Sequence, residues 1–130
     1  MEVFPITHFR VETEYPESSV AVQFGKSWTF TAPPDAPDQR GFTLHFTGMK
    51  YYVDGSGNLD TTTNAAVNNL RVLQLFYESH RLYEKFQFHH PVEGTLICTF
   101  AKPLIIPKGL PGGNGMVEDF TMKLLEHPGA

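Results

Sequence analysis

The chain has 130 residues, of which 41% are hydrophobic and 18% charged, and its net charge is −4 at pH 7. This is the usual length of one domain, so we treat residues 1–130 as a single domain. Its basic residues are scattered singly and its apolar runs are short, which disfavours direct nucleic-acid binding and direct membrane insertion.

The N-terminal part shows the two-residue periodicity of β-strands. Residues 8–15, HFRVETEY, alternate between apolar and charged side chains. Residues 19–32 keep one phase around Gly25, which indicates a bulge or a hairpin. A proline-rich loop at 32–41 follows, and residues 41–55 alternate again. We therefore predict strands in each of these three segments.

After a polar loop at 53–63 the periodicity becomes that of a helix. We predict an α-helix over 64–80, with Asp60 or a threonine as its N-cap. The apolar stripe of this helix consists of Ala66, Leu70, Leu73 and Tyr77. Val72 and Leu75 fall on the polar arc instead. They are either ordinary exposed aliphatic side chains or a surface that packs on a loop or on another subunit.

Short strands dominate the C-terminal part. They are EKFQFH, TLICTFA and LIIP, followed by a glycine-rich loop at 107–115 and a last strand, MVEDFTMKLLE. The count is about seven strands and one helix, and the absence of crossover helices excludes a parallel α/β fold. We predict an α+β fold, an antiparallel β-sandwich or partly closed barrel with one flanking α-helix. The predicted core consists of Phe46, Leu70, Leu73, Phe86, Phe88, Cys98 and Phe120.

The sequence HHPVE holds the side chains that most resemble a metal or catalytic site. His89, His90 and Glu93 are all potential zinc ligands or proton carriers, and Glu84 could pair with Glu93. Neighbouring residues of a strand point to opposite faces, so the two histidines cannot ligate one ion unless Pro91 kinks the strand. We therefore predict strand-end histidines, with no metal, no cofactor and no catalytic residue.

Two further loops contain part of a ligand-binding motif. From Asp54 to Asp60, oxygen-bearing side chains recur at the spacing of calcium loops. Leu59 occupies the position of the required glycine, and Ala65 that of the closing glutamate. The segment GLPGGNGM is rich in glycine but precedes a strand, so it lacks the helix N-terminus of a phosphate loop. We predict a turn and a flexible loop respectively.

The order of the elements carries a resemblance to a known family. An early strand has an FG turn, the helix ends in F-x-E-x-H, and a strand of the form F-x-F-x-x-P follows. In these features the chain resembles the lambda-type phage minor tail protein M family and its prophage relatives, most firmly over residues 64–126. The matching residues are Phe24, Gly25, Phe76, Glu78, His80, Phe86, Phe88 and Pro91. Leu82 stands near the glycine that commonly ends the helix, so this turn must use another geometry.

The resemblance implies a virion protein without enzymatic activity, a structural component of a phage or prophage tail located at the tail tip. Such a protein is present in the host cytoplasm during assembly and then in the virion tail. Its expected partners are the tail tube and neighbouring tail-tip proteins, and it would share the tail-tube fold. Proteins of that fold join their sheets edge to edge, and a homo-oligomeric ring is one outcome.

In such an assembly, loops outside the core would contact the partners. We expect the loops at 32–41, 53–63 and 107–115 to be flexible before assembly. Together with the polar arc of the helix they provide the candidate interface residues Val72, Leu75, Asp54, Asn58, Gly112 and Asn114.

Two other classes remain open from the sequence alone. One is a small-ligand or glycan-binding β-domain, with Trp28, Tyr51 and Tyr52 lining an aromatic pocket. The other is a metal-dependent enzyme that uses the HHPVE segment.

Overall fold

The computed structural model describes residues 1–16, 20–24, 28–32, 39–109 and 115–128, and for 20–24 and 28–32 it describes the backbone alone. These residues contain nine strands and one helix: β1 (Arg10–Glu14), β2 (Val20–Phe24), β3 (Trp28–Ala32), β4 (Gly41–Phe46), β5 (Tyr52–Val53), β6 (Leu59–Asp60), α1 (Leu70–His80), β7 (Phe86–His90), β8 (Gly94–Phe100) and β9 (Phe120–Glu126).

The main sheet has five strands in the order β1-β4-β9-β8-β7, and every neighbouring pair is antiparallel. Strands β2 and β3 pair only with each other, and so do β5 and β6, within the ranges described. The described chain is therefore mostly β with one short helix, and its strands close no barrel. Neither does this part of the chain hold a helix with the length and apolar character needed to cross a bilayer.

The predicted strand alternation is confirmed in the central pair, β4 and β9. Phe42 and Leu44 are fully buried and lie opposite Leu124 and Met122, which are buried as well. Six of the seven predicted core residues are buried, namely Phe46, Leu70, Leu73, Phe86, Phe88 and Cys98. The seventh, Phe120, is only partly buried at the end of β9, where its ring packs 5.2 Å from that of Phe46.

The predicted start of the helix at residue 64 is wrong, because α1 begins at Leu70. The preceding backbone bonds to Lys50 instead: the Lys50 amide donates to the Asn68 carbonyl, and the Leu70 amide donates to the Lys50 carbonyl. Asn69 is the N-cap, and its side-chain oxygen accepts from the Arg71 amide. Asp60, which we predicted as a possible cap, instead accepts hydrogen bonds from the amides and hydroxyls of Thr62 and Thr63.

The helix ends without a glycine, as expected from the sequence. Its C-cap is Arg81, whose φ of 52° and ψ of −141° place a residue with a Cβ in a sparsely populated backbone region. The Arg81 amide donates to the Tyr77 carbonyl at 2.7 Å, and the Glu84 amide donates to the His80 carbonyl at 3.2 Å. Backbone hydrogen bonds therefore hold the strained turn in place.

An N-terminal segment, residues 2–9, crosses from one edge of the sheet towards the other. It pairs with β7 through the bond from the Phe4 amide to the Gln87 carbonyl, and it reaches the loop before α1 through the bond from the Thr7 amide to the Ala66 carbonyl. The Phe4 ring is buried and lies 5.7–6.3 Å from five other rings: those of Phe9, Phe76, Phe86, Phe88 and Phe100. This segment therefore completes the core, a role that its sequence pattern did not indicate.

Two further predictions about the strands require correction. The segment LIIP forms no strand, and its nearest ladder contact is the bridge between Gly109 and Val117. Pro103, which precedes the segment, and Pro107, its last residue, lack the amide hydrogen that a ladder requires. The loop at 53–63, in contrast, contains the hairpin ends of β5 and β6.

Candidate functional site

The two adjacent histidines point in opposite directions, as strand alternation predicts. His89 is exposed, and its Nδ1 lies 2.9 Å from the Thr95 hydroxyl. His90 is buried, and its Nδ1 accepts from the amides of Val92 and Glu93 at 3.1 and 3.2 Å. The turn after β7 therefore uses the His90 ring as a cap for its own backbone.

This capping makes His90 a poor metal ligand. Because Nδ1 accepts two hydrogen bonds, the proton of the neutral ring is on Nε2. Nε2 is buried 3.7 Å from a Glu93 carboxylate oxygen. A metal on Nε2 would force the proton onto Nδ1, where it would face two amide hydrogens. Elsewhere in the described part of the chain, no three His, Cys, Asp or Glu side chains are grouped to hold one ion.

The carboxylate of Glu93 belongs to an ion-pair network centred on Arg40, a residue that the sequence pattern did not mark as functional. Arg40 Nη1 donates to both Glu93 oxygens at 2.7 and 3.0 Å. Its Nε and Nη2 donate to the two oxygens of Glu126 at 2.8 and 2.9 Å. The network joins the start of β4, the β7–β8 turn and the end of β9. This geometry is that of a structural ion-pair network, and we call Arg40, Glu93 and Glu126 the clamp. Glu84, the other carboxylate considered as a partner of Glu93, is exposed in the connection between α1 and β7.

The pKa values of the clamp residues follow from these contacts. Hydrogen bonds from Arg40 hold the pKa of the Glu126 carboxyl below its ordinary value. The bonds to Glu126 and Glu93 in turn raise the pKa of the Arg40 guanidinium. Both groups therefore stay charged near neutral pH, which suits a fixed ion pair and not a proton carrier.

The loop with calcium-like spacing is organised by its own backbone. Asp54 Oδ1 accepts from the amides of Ser56 and Asn58 at 2.8 and 3.1 Å. The Asp54 amide donates to the Asn58 carbonyl, which closes the turn between β5 and β6. These bonds form the predicted turn, in which the Asp54 side chain caps the backbone amides that follow it. The predicted mobility of the loop stays a prediction.

The aromatic residues that could line a ligand pocket serve the framework where the structure describes them. The Tyr51 hydroxyl donates to Gln74 at 3.3 Å, and the Tyr52 hydroxyl donates to Asn68 at 2.7 Å. Burial raises the pKa of the Tyr51 hydroxyl. The side chain of Trp28 lies outside the described part, and the two tyrosines tie residues 51–52 to α1 and the turn before it.

The candidate interface residues fall into three groups. Val72 is half-buried and packs against the core, so the expectation that it lies on the solvent-exposed polar arc of the helix is wrong. Leu75 is 39% exposed, as that arc requires. Asp54 and Asn58 lie in the β5–β6 turn, and Gly112 and Asn114 lie outside the described residues.

Other surface features would suit contact with a partner. The outer edge of β1 carries the exposed, charged side chains of Arg10, Glu12 and Glu14, and no described strand pairs with it. Charged side chains of this kind protect an open edge from unselective pairing. At the opposite edge, β7 is bridged at Gln87 by the N-terminal segment. The sheet therefore has one open edge and one partly covered edge within the described ranges.

Comparison of the chain with models of known protein families gave no match, and comparison with curated proteins gave none either. A functional assignment for this chain therefore depends on its own residues and their geometry.

Proposed function

We propose that the chain is a structural, non-enzymatic component of a bacteriophage or prophage tail, a minor tail protein of the tail tip that assembles through ring-like protein–protein contacts. It would be made in the host cytoplasm and would end in the virion tail. Its partners would be the tail tube, neighbouring tail-tip proteins and further copies of itself.

The observation that carries the proposal is the position of the residues that resemble the tail protein family. Phe76 and His80 stack at 4.0 Å between ring centroids, and Phe86 meets them edge-on at 5.2 and 5.6 Å. Phe88 joins the same cluster through Phe4. These motif residues lie where α1 packs on the sheet, which supports the idea that the resemblance reports a shared architecture rather than a shared chemistry.

The state of the reactive side chains also supports a structural role. His90 caps a turn, Glu93 pairs with Arg40, and Asp54 organises a hairpin. Cys98 is buried, and burial raises the pKa of its thiol to about 12. Each of these four side chains therefore has a structural partner or a buried position that accounts for its place in the fold without a chemical role.

We also propose that the chain adopts the tail-tube fold when it is assembled. A tail-tube-like sandwich or partly closed barrel would complete the five-stranded sheet with the β2–β3 hairpin and with strands of adjacent subunits. The open edge of β1 supports this arrangement, because a ring pairs such edges productively and closes by symmetry.

Deletion and complementation in the phage or prophage that encodes the chain tests the proposal. Deletion should abolish complete tails in electron micrographs, and the parent chain should restore them. The variant His89→Ala removes an exposed histidine and should restore tails fully. Normal tails in the deletion strain would contradict the structural role. Failure of a well-folded His89→Ala protein to restore tails would favour the enzyme alternative.

A further inference from the structure

A groove lined by basic side chains lies where β1 and the residues before it run beside β4. Its volume is about 280 Å³, and it is lined by His8, Phe9, Arg10, His45 and Thr47. Phe9 packs against the core, so its neighbours His8 and Arg10 point to the other face of the sheet. The register pairs Arg10 with His45, and two residues further along it places His8 opposite Thr47. We call this the basic groove.

The Arg10 guanidinium has no acceptor among the described residues. The other arginines, Arg40, Arg71 and Arg81, each donate at least one hydrogen bond to a described side chain or carbonyl. Within the same ranges Arg10 is exposed and makes neither a hydrogen bond nor an ion pair, although Glu12 is only two residues away in β1. A guanidinium stays charged and carries five donors in a planar fork. Arg10 therefore offers this fork to an acceptor from outside the described chain.

One carboxylate borders the basic groove without lining it. Glu12 lines the adjoining groove, together with Arg10 and His45. A Glu12 carboxylate oxygen lies 3.0 Å from His45 Nε2, outside hydrogen-bond geometry, and the Glu12 side chain is 65% exposed. An anion in the basic groove and the Glu12 carboxylate would compete for the same cations. Removal of the Glu12 charge should therefore strengthen the binding of an anion.

We propose that the basic groove binds a phosphate group, either as inorganic phosphate or as the phosphate of a small monoester. Arg10 donates two parallel hydrogen bonds to two of the phosphate oxygens. The Thr47 hydroxyl and the imidazoles of His8 and His45 supply donors for the others. Four donor side chains exceed what the two oxygens of a carboxylate accept, whereas a phosphate group presents at least three acceptor oxygens. The inference goes beyond the tail role and does not depend on it.

Titration of isotope-labelled protein with inorganic phosphate, followed by NMR at neutral pH, measures the affinity and locates the site. We expect a dissociation constant on the order of 1 mM, with amide shift changes centred on residues 8–12 and 43–47. A reference titration with chloride at the same ionic strength corrects for screening. A second titration with glycerol phosphate distinguishes the sources: tighter binding than that of inorganic phosphate indicates a monoester, and equal or weaker binding indicates free phosphate.

Two variants should change the affinity in opposite directions. Arg10→Gln should weaken phosphate binding at least about tenfold, because it removes the charged fork. Glu12→Gln should strengthen it by about twofold to fivefold, the effect of an exposed charge pair. Lys85→Gln is the control, since it removes one positive charge from the exposed connection before β7, at the opposite edge of the main sheet. It should bind phosphate like the parent.

Thermal melts show whether the variants fold. If Arg10→Gln loses the fold, His8→Gln decides in its place, because His8 is exposed and lies outside the strands, and this variant should also weaken binding. The proposal is overturned if phosphate changes the spectrum no more than chloride, if a folded Arg10→Gln or its substitute binds like the parent, or if Glu12→Gln binds no more tightly. Equal weakening by Lys85→Gln would also overturn it, because the effect would then be one of net charge.

Discussion

Replacing Phe4 with alanine tests whether the N-terminal segment is part of the core. The Phe4 ring is 4% exposed and lies within 6.3 Å of five other rings. Truncating a buried phenylalanine costs about 3–5 kcal/mol of unfolding free energy. Loss of the aromatic pairs adds to the cost of the lost buried area. Movement of the terminal segment into the cavity left by the ring relieves part of that cost. We expect a loss of about 3 kcal/mol, the lower end of that range.

Urea unfolding followed by circular dichroism measures this loss as a fall in the transition midpoint. If the segment also detaches, the native state exposes more surface and the denaturant slope decreases. Val3→Ala is the control, because Val3 belongs to the same segment but its side chain is 42% exposed. A loss below about 1 kcal/mol for Phe4→Ala, the size of an average mutation, would refute the assigned position of the segment.

Three further predictions concern the helix end, the clamp and the absence of metal. Arg81→Gly should raise the unfolding free energy by about 0.5–1 kcal/mol, because glycine relieves the strain of a positive φ. Arg81→Ala keeps that strain and should not stabilise the protein. Thermal melts of the two variants test the difference. Glu126 has a lowered pKa in the folded state, so its contribution to stability is present above the unfolded pKa of about 4.3 and is lost as the pH falls through the folded value. Urea unfolding at several pH values should therefore show Glu126→Gln to be less stable than the parent at neutral pH and to lose less stability on acidification, while the exposed Glu118→Gln follows the parent curve. Addition of EDTA, zinc or calcium should leave the melting temperature unchanged, and a rise of several degrees with calcium would contradict the turn assigned to Asp54.

The apolar faces of the strands were predictable from the sequence, and the start of the helix was not. In β4, Phe42 and Leu44 face the core with the period of two that the pattern indicated. The start of α1 depends on a long-range bridge from Lys50 to the residues around Asn69. No local periodicity reports such a bridge, because the competing hydrogen bonds come from a distant part of the chain.

Part of the candidate site could likewise be predicted from the sequence, and part could not. The opposite directions of His89 and His90 follow from strand geometry and could be predicted. The clamp of Arg40 with Glu93 and Glu126 joins residues from three distant elements, so sequence spacing carried no sign of it. The role of Phe4 was missed for a similar reason, since residues 2–9 lack the regular alternation of a strand and dock by individual contacts.

Quantitative mass spectrometry of purified tail particles tests the central claim most directly. The particles would be produced from the phage or prophage that encodes the chain and separated from free protein by density-gradient centrifugation. The account predicts that the chain copurifies with complete tails in a fixed ratio to the tube protein, as a permanent component. A chain that stays in the soluble fraction while complete tails lack it would contradict the account.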